Sequence, residues 1–286
     1  MKRIGLVIKA SNPEAIRLGE EIAMWGAARG VSVSCEVGLS EIMETPGAIA
    51  PDEFPGSIDL MVVLGGDGTM LHAVRLLDGR NVPVLGVNLG SLGFLTAITA
   101  REVFPLLDEI SAGNFVTNER MLLSVTVERD GKSASYKVLN DAVIKGENAR
   151  LVNLETRINQ EYVNTYRADG LIVATPTGST AYSLSANGPI LYPTIHSIIV
   201  APICPFNLTN RPVVIPDWMK VEIKLPQEQA RTGLILDGQV DVPLSGGDRI
   251  IVQRAEQSAY LIRCEGKSYF DILRERLMWE AGSVRR

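Results

Sequence analysis

The stretch that most constrains the fold is an apolar run that leads directly into a glycine-rich turn. Leu60–Leu64 is entirely apolar, and Gly65-Gly66-Asp67-Gly68-Thr69 follows it. Beyond the turn, apolar residues recur at helical spacing, at Met70, Leu71, Val74 and Leu77. The pattern predicts a buried strand, a tight turn and the start of a helix, which is the repeating unit of a parallel α/β sheet.

The glycine turn has the features of an anion-binding site. Glycine at 65, 66 and 68 lets the backbone approach a bulky ligand, and the N-terminus of the following helix favours negative charge. Asp67 would repel phosphate unless it binds a cation or accepts a proton. A simple turn with a capping Asp is the alternative. The position at the end of a predicted parallel strand, where open α/β sheets bind ligands, favours the functional interpretation.

Composition and charge narrow the class of protein. The chain has 286 residues, of which 46% are hydrophobic and 21% charged, as expected of one large globular domain or two smaller ones. A net charge of -5 argues against non-specific nucleic-acid binding. No apolar run reaches membrane-spanning length, and the N-terminus lacks a signal-peptide pattern. We expect a cytoplasmic protein with neither a membrane nor a nucleic-acid partner.

Cysteine and histidine usage agrees with this class. Cys35, Cys204 and Cys264 are widely spaced and form no CxxC pair, which is typical of reduced thiols in a cytosol. His72 and His196 are the only histidines, so we expect no histidine-based metal cluster.

The first hundred residues alternate between strands and helices. A helix is predicted from Pro13, with Asn12 as its cap, to Gly30, while residues 38–57 are expected to be irregular or to form a mobile loop. Strands are predicted at Arg3–Ile8, Val31–Val37, Ile58–Leu64 and Val82–Val87. This order predicts a Rossmann-like α/β domain with a parallel sheet over residues 1–100.

After a predicted helix at Glu102–Ile110, strand patterns dominate the sequence. Residues 101–265 are predicted to form a β-rich domain, and a helix at Asp271–Trp279 lies in a tail, residues 266–286, that returns to the first domain. The predicted strands are Met121–Glu128, Ser135–Ile144, Leu151–Asn159, Gly170–Ala174, Ile195–Val200, Lys220–Leu225, Gly233–Leu236, Arg249–Gln253 and Tyr260–Cys264.

Four further polar motifs stand out. A second glycine-rich turn, Asn88-Leu89-Gly90-Ser91-Leu92-Gly93-Phe94-Leu95, follows a predicted strand and is either a second site where a phosphate or ribose could approach or a loop at the end of that strand. Asn140-Asp141 interrupts an apolar run and suits either a nucleoside contact or a β-turn. The stretch Asp169–Pro189 concentrates small hydroxyl residues around Gly178, more densely than a capped helix explains. Asp237-Gly238-Gln239 is by itself an ordinary hairpin signal.

In this order, the motifs resemble those of bacterial-type NAD kinases over nearly the whole chain. The first glycine turn is shared with lipid kinases and is similar to that of phosphofructokinases, whereas Asp169–Pro189 is much more specific. The resemblance implies an α/β domain, a β-rich domain and transfer of the γ-phosphoryl of ATP to the 2′-hydroxyl of the adenosine ribose of NAD, giving NADP. No Gly-x-x-x-x-Gly-Lys-Ser/Thr motif occurs, so the ATP site would be of the glycine-turn type.

The resemblance also assigns site residues. Asp67 would lie at the reacting hydroxyl, where it could accept the proton, orient the hydroxyl or hold the metal. Gly68 and His72 would line the nicotinamide half or the phosphates, and Gly65, Gly66, Gly68 and Thr69 would form the phosphate turn. Asn140 and Asp141 would hold NAD hydroxyls or adenine. The remaining NAD-binding residues implied are Arg150, Arg167, Asp169, Thr177, Thr180, Ala181, Tyr182, Ser183, Leu184, Ser185 and Gln239.

The implied partners are NAD and ATP, with Mg²⁺ as the expected divalent metal and polyphosphate as an alternative donor. A homo-oligomer, a dimer or a tetramer, is expected. Two alternatives remain at this point: a lipid kinase with the same glycine turn, and a non-catalytic NAD(P) sensor. The sequence leaves open whether NADH is accepted and whether NADP(H) inhibits.

Overall fold

The computed structural model describes residues 1–40, 43, 47–90, 93–96, 98–147, 150–228, 231–263 and 268–279. The chain divides into two compact units, Met1–Glu119 with Ala259–Arg286, and Arg120–Ser258. The C-terminal tail therefore belongs to the first unit, as predicted. Parts of the predicted motifs, namely Ser91, Leu92, Cys264 and the residues after 279, lie outside the described residues.

The first unit alternates strands and helices. Its sheet strands are β1 (Arg3–Ile8), β2 (Ser32–Glu36), β3 (Gly47–Ile49), β4 (Leu60–Leu64), β5 (Pro83–Asn88) and β6 (Ile98–Thr99). Its helices are α1 (Pro13–Arg29), α2 (Val37–Ser40), α3 (Phe54–Ser57), α4 (Asp67–Leu77), α5 (Val103–Ser111) and the C-terminal α7 (Tyr269–Leu277), with a 3₁₀ turn at Ala100–Glu102.

The sheet of the first unit is parallel. Strand β1 pairs with β2 on one side and with β4 on the other, and β4 pairs with β5. Beyond β5, Tyr260 and Leu261 add a further parallel pairing from a strand near the C-terminus. The chain winds outward in opposite directions from β1 to β2 and from β4 to β5. The topological switch point, where such sheets bind ligands, therefore lies between the ends of β1 and β4.

Local sequence signals explain the helix boundaries. The Asn12 side chain accepts a hydrogen bond from the backbone N–H of Glu14 at the start of α1, and Gly30 ends the helix with a φ of 70°. Residues 38–57 are not simply irregular, because they include β3 and α3. The apolar face of α5 packs in the same core as β1 and β4, so this helix belongs to the first unit and the units divide after residue 119 instead of residue 100.

The described residues of the second unit form mainly strands. Its strands are β7 (Thr117–Arg129, which begins at the end of the first unit), β8 (Lys132–Val138), β9 (Asp141–Gly146), β10 (Val152–Ile158), β11 (Glu161–Ala168), β12 (Gly170–Ala174), β13 (Ser197–Ile203), β14 (Val213–Pro216), β15 (Val221–Lys224), β16 (Thr232–Leu236), β17 (Val240–Leu244) and β18 (Arg249–Ile262, whose last residues belong to the first unit). A 3₁₀ turn (Thr177–Thr180) and α6 (Tyr182–Ser185) follow β12.

Six of these strands form an antiparallel sheet with the order β14-β13-β12-β9-β16-β17. Alternate residues point to opposite faces. Leu171 and Val173 of β12 face the main core, which also contains residues of β7, β10 and β15, while Ile172 and Ala174 join a smaller cluster on the other face. The sheet is therefore buried on both faces around β12, which explains why this strand reads as a continuous apolar run.

Several predicted strand boundaries were wrong. The single strand predicted at Ser135–Ile144 is two strands, because the chain bends at residues 139–140 between β8 and β9. The strands predicted at Arg249–Gln253 and Tyr260–Cys264 are parts of one long strand, β18. Five strands were missed: the short β3 and β6 in the first unit, and β11, β14 and β17 in the second, whose many exposed or half-buried residues weaken the apolar pattern. Within the described ranges, no helix is long and apolar enough to cross a membrane.

Candidate functional site

Asp67 lies in the first turn of α4, and both of its carboxylate oxygens are held by backbone amides. One oxygen accepts a hydrogen bond from the N–H of Phe94 at 2.9 Å, and the other accepts one from the N–H of Leu95 at 3.0 Å. A Cβ placed on Gly93 would lie 2.0 Å from the same carboxylate, so only glycine fits there. The two glycine-rich turns predicted from the sequence thus meet, and the second one fixes the carboxylate of the first.

The turn before α4 is closed on one side and open on the other. A Cβ on Gly65 would lie 2.4 Å from the hydroxyl oxygen of Thr69, so this hydroxyl packs directly on the turn. A Cβ on Gly66 would meet no atom within 4 Å, and Gly68 is exposed. Lys9 is exposed at the end of β1, and its backbone N–H bonds to the carbonyl of Leu64. The turn therefore lies at the switch point, at a helix N-terminus and next to the end of β1.

His72 is on the same helix, but its ring contacts Glu36 and Arg75. Its Nε2 lies 3.1 Å from both carboxylate oxygens of Glu36, and a guanidinium nitrogen of Arg75 lies 3.1 Å from its Nδ1. Arg75 has only donors, so Nδ1 accepts and Nε2 carries the hydrogen that Glu36 accepts. Glu36 carries no motif that would have pointed to this contact. The role predicted for His72 as a ligand contact stays a prediction.

In the second unit, Asp237 organises the bend between β8 and β9. Its carboxylate accepts hydrogen bonds from the N–H groups of Leu139, Asn140 and Asp141, at 3.0, 2.7 and 3.2 Å. Its own N–H donates to the carbonyl of Asp141 at 2.9 Å. Asp237 itself was not among the predicted site residues, because the Asp-Gly pair reads as a hairpin turn.

The bend also meets the turn that follows β12. The carbonyl oxygen of Asn140 accepts the N–H of Thr175 at 2.9 Å, and the Thr175 hydroxyl donates to the carbonyl of Leu139 at 2.6 Å. A Cβ on Gly178 would lie 2.1 Å from the Asn140 carbonyl oxygen. The dense small residues of this stretch therefore have a structural reason as well, since they let two backbone segments approach closely.

A cavity of about 360 Å³ lies against these segments. It is on the sheet face opposite the main core, and it is lined by Asn140, Asp141, Val143, Ala181, Tyr182, Ile235, Asp237 and Gly238. Burial, and then the charge of Asp237, raise the pKa of the Asp141 carboxyl from 3.8 to about 7, while a hydrogen bond from the backbone of Tyr182 acts in the opposite direction. An apolar cavity with a few convergent polar groups is the usual form of a small-molecule site.

The predicted residues from Thr177 to Ser185 divide by exposure. Ala181, Tyr182, Leu184 and Ser185 are at least partly exposed, whereas Thr177 and Ser183 are buried. The hydroxyl oxygens of Thr177 and Ser183 have no hydrogen-bond partner among the described residues. A Cβ on Gly188 would lie 2.2 Å from the hydroxyl oxygen of Ser183. The Thr180 hydroxyl bonds to the carbonyl of Thr177. Gln239 is exposed in the β16–β17 turn beside Asp237.

Three predicted residues lie at the other end of the sheet. Asp141 pairs with Ala174, whereas Lys145 pairs with Gly170 at the far end of the same two strands. At about 3.3 Å per residue these ends are roughly 13 Å apart. Asp169 and Arg150 both lie at the far end, against Gly146, and Arg167 stacks on the ring of Phe206 at 4.8 Å.

Comparison with known proteins identifies the family. Residues 4–115 match the ATP-NAD kinase N-terminal domain, and residues 139–264 match the ATP-NAD kinase C-terminal domain. The chain belongs to the NAD kinase family. It is 44% identical over 281 residues to the NAD kinase of Geotalea daltonii and 47% identical over 287 residues to that of Citrifermentans bemidjiense. Each alignment covers 98% of this chain and 99% of the relative.

Solved structures of NAD kinases share the architecture. Yeast NADH kinase in complex with NADH superposes with a TM-score of 0.87 at 27% identity, covering 100% of this chain and 89% of that chain. An NAD kinase from Archaeoglobus fulgidus in complex with ATP superposes with a TM-score of 0.75 at 25% identity, covering 96% and 98%. Membership in the NAD kinase family makes the chain a phosphotransferase with an alcohol acceptor, and it sets aside the lipid-kinase alternative.

The Asp67 carboxylate at the glycine turn is the group to test as a ligand for the expected Mg²⁺. Among the described residues, no three His, Cys, Asp or Glu side chains come together as a metal site. At the turn, Asp67 supplies a carboxylate whose oxygens each retain acceptor capacity after one amide bond. One carboxylate together with substrate phosphates is the usual setting for Mg²⁺, so the residues present fit that ion.

Proposed function

We propose that this chain transfers the γ-phosphoryl group of ATP to the 2′-hydroxyl of the adenosine ribose of NAD, giving NADP. The observation that carries the proposal is the fixed Asp67 carboxylate in the first turn of α4, at the switch point of a parallel sheet. The complexes of related enzymes with NADH and with ATP support both substrates.

Asp67 would act on the acceptor hydroxyl. Two amide N–H groups hold the carboxylate, and a carboxylate has about four acceptor positions, so it can still accept a hydrogen bond from the 2′-hydroxyl. Phosphoryl transfer depends mainly on positioning and charge neutralisation. A carboxylate that does not move therefore orients the hydroxyl toward the phosphorus and takes its proton as the new bond forms.

The phosphates of ATP would lie at the turn formed by Gly65, Gly66, Gly68 and Thr69. The open side of this turn leaves room for phosphate oxygens, and the N-terminus of α4 favours their charge. Asp67 would be the protein ligand for Mg²⁺, which when bound neutralises charge on the donor phosphates.

The second unit would bind the dinucleotide. Asn140 and Asp141, with Ala181 and Tyr182, line the cavity and offer donors and acceptors beside an apolar wall. The remaining predicted contacts, Gly68, His72, Arg150, Arg167, Asp169, Thr177, Thr180, Ser183, Leu184, Ser185 and Gln239, stay proposals. Arg150, Arg167 and Asp169 form a separate group, because they lie at the far end of β9 and β12.

An endpoint assay tests the reaction. The purified chain is incubated with NAD, ATP and Mg²⁺, and NADP is measured with an NADP-specific dehydrogenase, which also reports that the phosphate is on the 2′-hydroxyl. We expect NADP only when all three components are present. Polyphosphate replaces ATP in a parallel sample. NAD binding without NADP from either donor would support the sensor alternative and overturn the proposal.

A glycine pair tests whether the fixed carboxylate matters. Gly93→Ala places a methyl group against Asp67 and should lower kcat at least tenfold with the fold retained, whereas a Cβ on Gly90 meets no atom within 4 Å. Gly90→Ala is therefore the matched control and should keep wild-type kcat. Equal kcat in the two variants would show that the carboxylate position does not limit the reaction.

We also propose that the chain forms a homo-oligomer, a dimer or a tetramer, through the second unit. Large apolar side chains are exposed there, among them Phe206 at 67%, Leu208 at 82% and Trp218 at 69%. Phe206 and Leu208 lie two residues apart in the β13–β14 connection, and exposed apolar groups that lie together are typical of interaction surfaces. Mass photometry of the wild type and of Leu208→Glu should show an assembly that the substitution weakens, and a monomeric wild type would refute it.

We propose a cytoplasmic location, supported by the thiols. Cys35 and Cys204 are both free, the first buried and the second exposed, which suits a reducing compartment. Fractionation of the native host should recover NAD kinase activity with the cytoplasmic marker, and recovery with an extracellular fraction would contradict it.

A further inference from the structure

Asp237 makes more contacts than its turn requires. Asp237 and Gly238 have φ values of 50° and 66°, the left-handed conformation that both central residues of a type I′ turn require, and Asn-Gly or Gly-Gly would serve equally well. The Asp237 side chain nevertheless reaches across almost a hundred residues of sequence to the β8–β9 bend. It is only 8% exposed. The turn alone therefore does not explain why residue 237 carries a carboxylate, whereas the hydrogen bonds to the bend do.

The bend needs an acceptor that strands cannot supply. Strand β8 ends at Val138 and β9 begins at Asp141, so the amides between them leave the regular ladder of hydrogen bonds. A buried N–H without a partner costs about 1–3 kcal/mol. The Asp237 carboxylate accepts all three N–H groups from Leu139 to Asp141. It thereby fixes the backbone from which Asn140 and Asp141 extend their side chains to the cavity.

We propose that Asp237 is a positioning residue of the dinucleotide site, which acts on NAD through Asn140 and Asp141; the inference rests on the proposed function. The carboxylate does so in two ways. It fixes the conformation of the bend, and its negative charge lies close to Asp141, whose N–H it accepts, on the wall of the same cavity.

The charge has a chemical consequence for Asp141. Among the described residues that line the cavity, the titratable groups are the carboxyls of Asp141 and Asp237 and the phenol of Tyr182. Burial and the Asp237 charge raise the pKa of Asp141 to about 7, against the opposing hydrogen bond from the Tyr182 backbone. Near neutral pH, Asp141 therefore exists both as an acid that donates a hydrogen bond and as a carboxylate that only accepts. Burial contributes most to this balance, and the Asp237 charge shifts it further toward the protonated form.

The test is Asp237→Asn, measured as KM and kcat for NAD from pH 5.5 to 8.5. The amide cannot accept three N–H groups with the strength of a carboxylate, so we expect KM for NAD to rise roughly tenfold, with kcat and the KM for ATP within about twofold of wild type. The wild-type KM should change with a midpoint near the pKa of about 7, and the substitution should move that midpoint to lower pH. A purely structural role would leave the midpoint unchanged.

Two further variants complete the test. Asp241→Asn, on the exposed side of the same hairpin, should leave both KM and the midpoint as in the wild type. Asp141→Asn should abolish the transition. If wild-type KM and the midpoint persist in Asp237→Asn while NADP is still made, the inference is overturned and the proposed function stands. If the wild type makes no NADP, the proposed function fails, and NAD binding by calorimetry in the same variants still decides the role of Asp237.

Asp237→Asn also removes bonds that the fold uses, so a measurement on the wild type is included. The carboxyl carbon of Asp141 is titrated by NMR with and without NAD. A midpoint near 7 that NAD displaces shows that the raised pKa belongs to Asp141 and that this carboxyl meets the dinucleotide, as the inference requires, even if the variant does not fold. A midpoint near the ordinary value of 3.8, or one that NAD leaves in place, overturns it.

Discussion

Replacement of Asp141 by Asn should make the second unit more stable, and increasingly so as the pH rises. The Asp141 side chain is 3% exposed, and its pKa is raised from 3.8 to about 7. Between these two values the folded chain holds a proton that the unfolded chain has released. Stability therefore falls as pH rises from about 4 to about 7, and it levels off above that range. Asn has nearly the same shape, does not titrate, and its carbonyl can still accept the N–H of Tyr182.

The size of the effect follows from the pKa difference. One pKa unit corresponds to about 1.4 kcal/mol, so a rise from 3.8 to about 7 corresponds to roughly 4 kcal/mol. The free energy of unfolding of Asp141→Asn should then exceed that of the wild type by up to roughly 4 kcal/mol more at pH 8 than at pH 4. Half or more of this change should occur between pH 5 and pH 7.

The assay is urea unfolding at several pH values and constant ionic strength, followed by hydrogen exchange of amides in β9 and β12. This readout belongs to the second unit and avoids assuming that both units unfold together. Asp241→Asn, an exposed carboxylate on the neighbouring hairpin, should track the wild type. A difference between Asp141→Asn and the wild type that is constant from pH 4 to pH 8 would refute a raised pKa at Asp141.

Two further predictions concern the second unit. Gly178→Ala should raise the KM for NAD roughly tenfold, because its Cβ would lie 2.1 Å from the carbonyl oxygen of Asn140. A Cβ on Gly233 meets no atom within 4 Å, so Gly233→Ala is the control and should keep the wild-type KM in steady-state kinetics. Arg129→Gln should lower the free energy of unfolding by roughly 1–3 kcal/mol in urea titrations, because it removes the ion-pair partner of Asp248, whose side chain is only 2% exposed. An unchanged free energy of unfolding would show that the Asp248 carboxylate does not need Arg129.

Local sequence signals predicted most helices and strands of the first unit. Asn12, Pro13 and Gly30 mark the ends of α1, and each acts through its own neighbours in the chain. The strand, turn and helix around Asp67 are likewise local, since glycine conformation and apolar periodicity determine them. These features could be read without knowing the fold.

Contacts between distant segments could not be read in the same way. The amides of Phe94 and Leu95 hold Asp67, and the Asp237 carboxylate holds the bend at Asn140, but backbone donors carry no side-chain signature. The pairing of His72 with Glu36 joins two elements that only the sheet order brings together. Sequence motifs named most of the residues around the site, whereas the fold decided which atoms they contact.

The most direct test of the account is single-turnover NADP formation by Asp67→Asn, with NAD binding measured in the same samples. Asn keeps the shape of the side chain but cannot accept the proton of the 2′-hydroxyl, so we expect the rate to fall by roughly 100- to 10,000-fold, with the Kd for NAD within a few-fold of wild type. Asp52→Asn, an exposed carboxylate in the same unit, is the control. NADP formation at the wild-type rate in Asp67→Asn would contradict the central claim that this carboxylate acts on the acceptor hydroxyl.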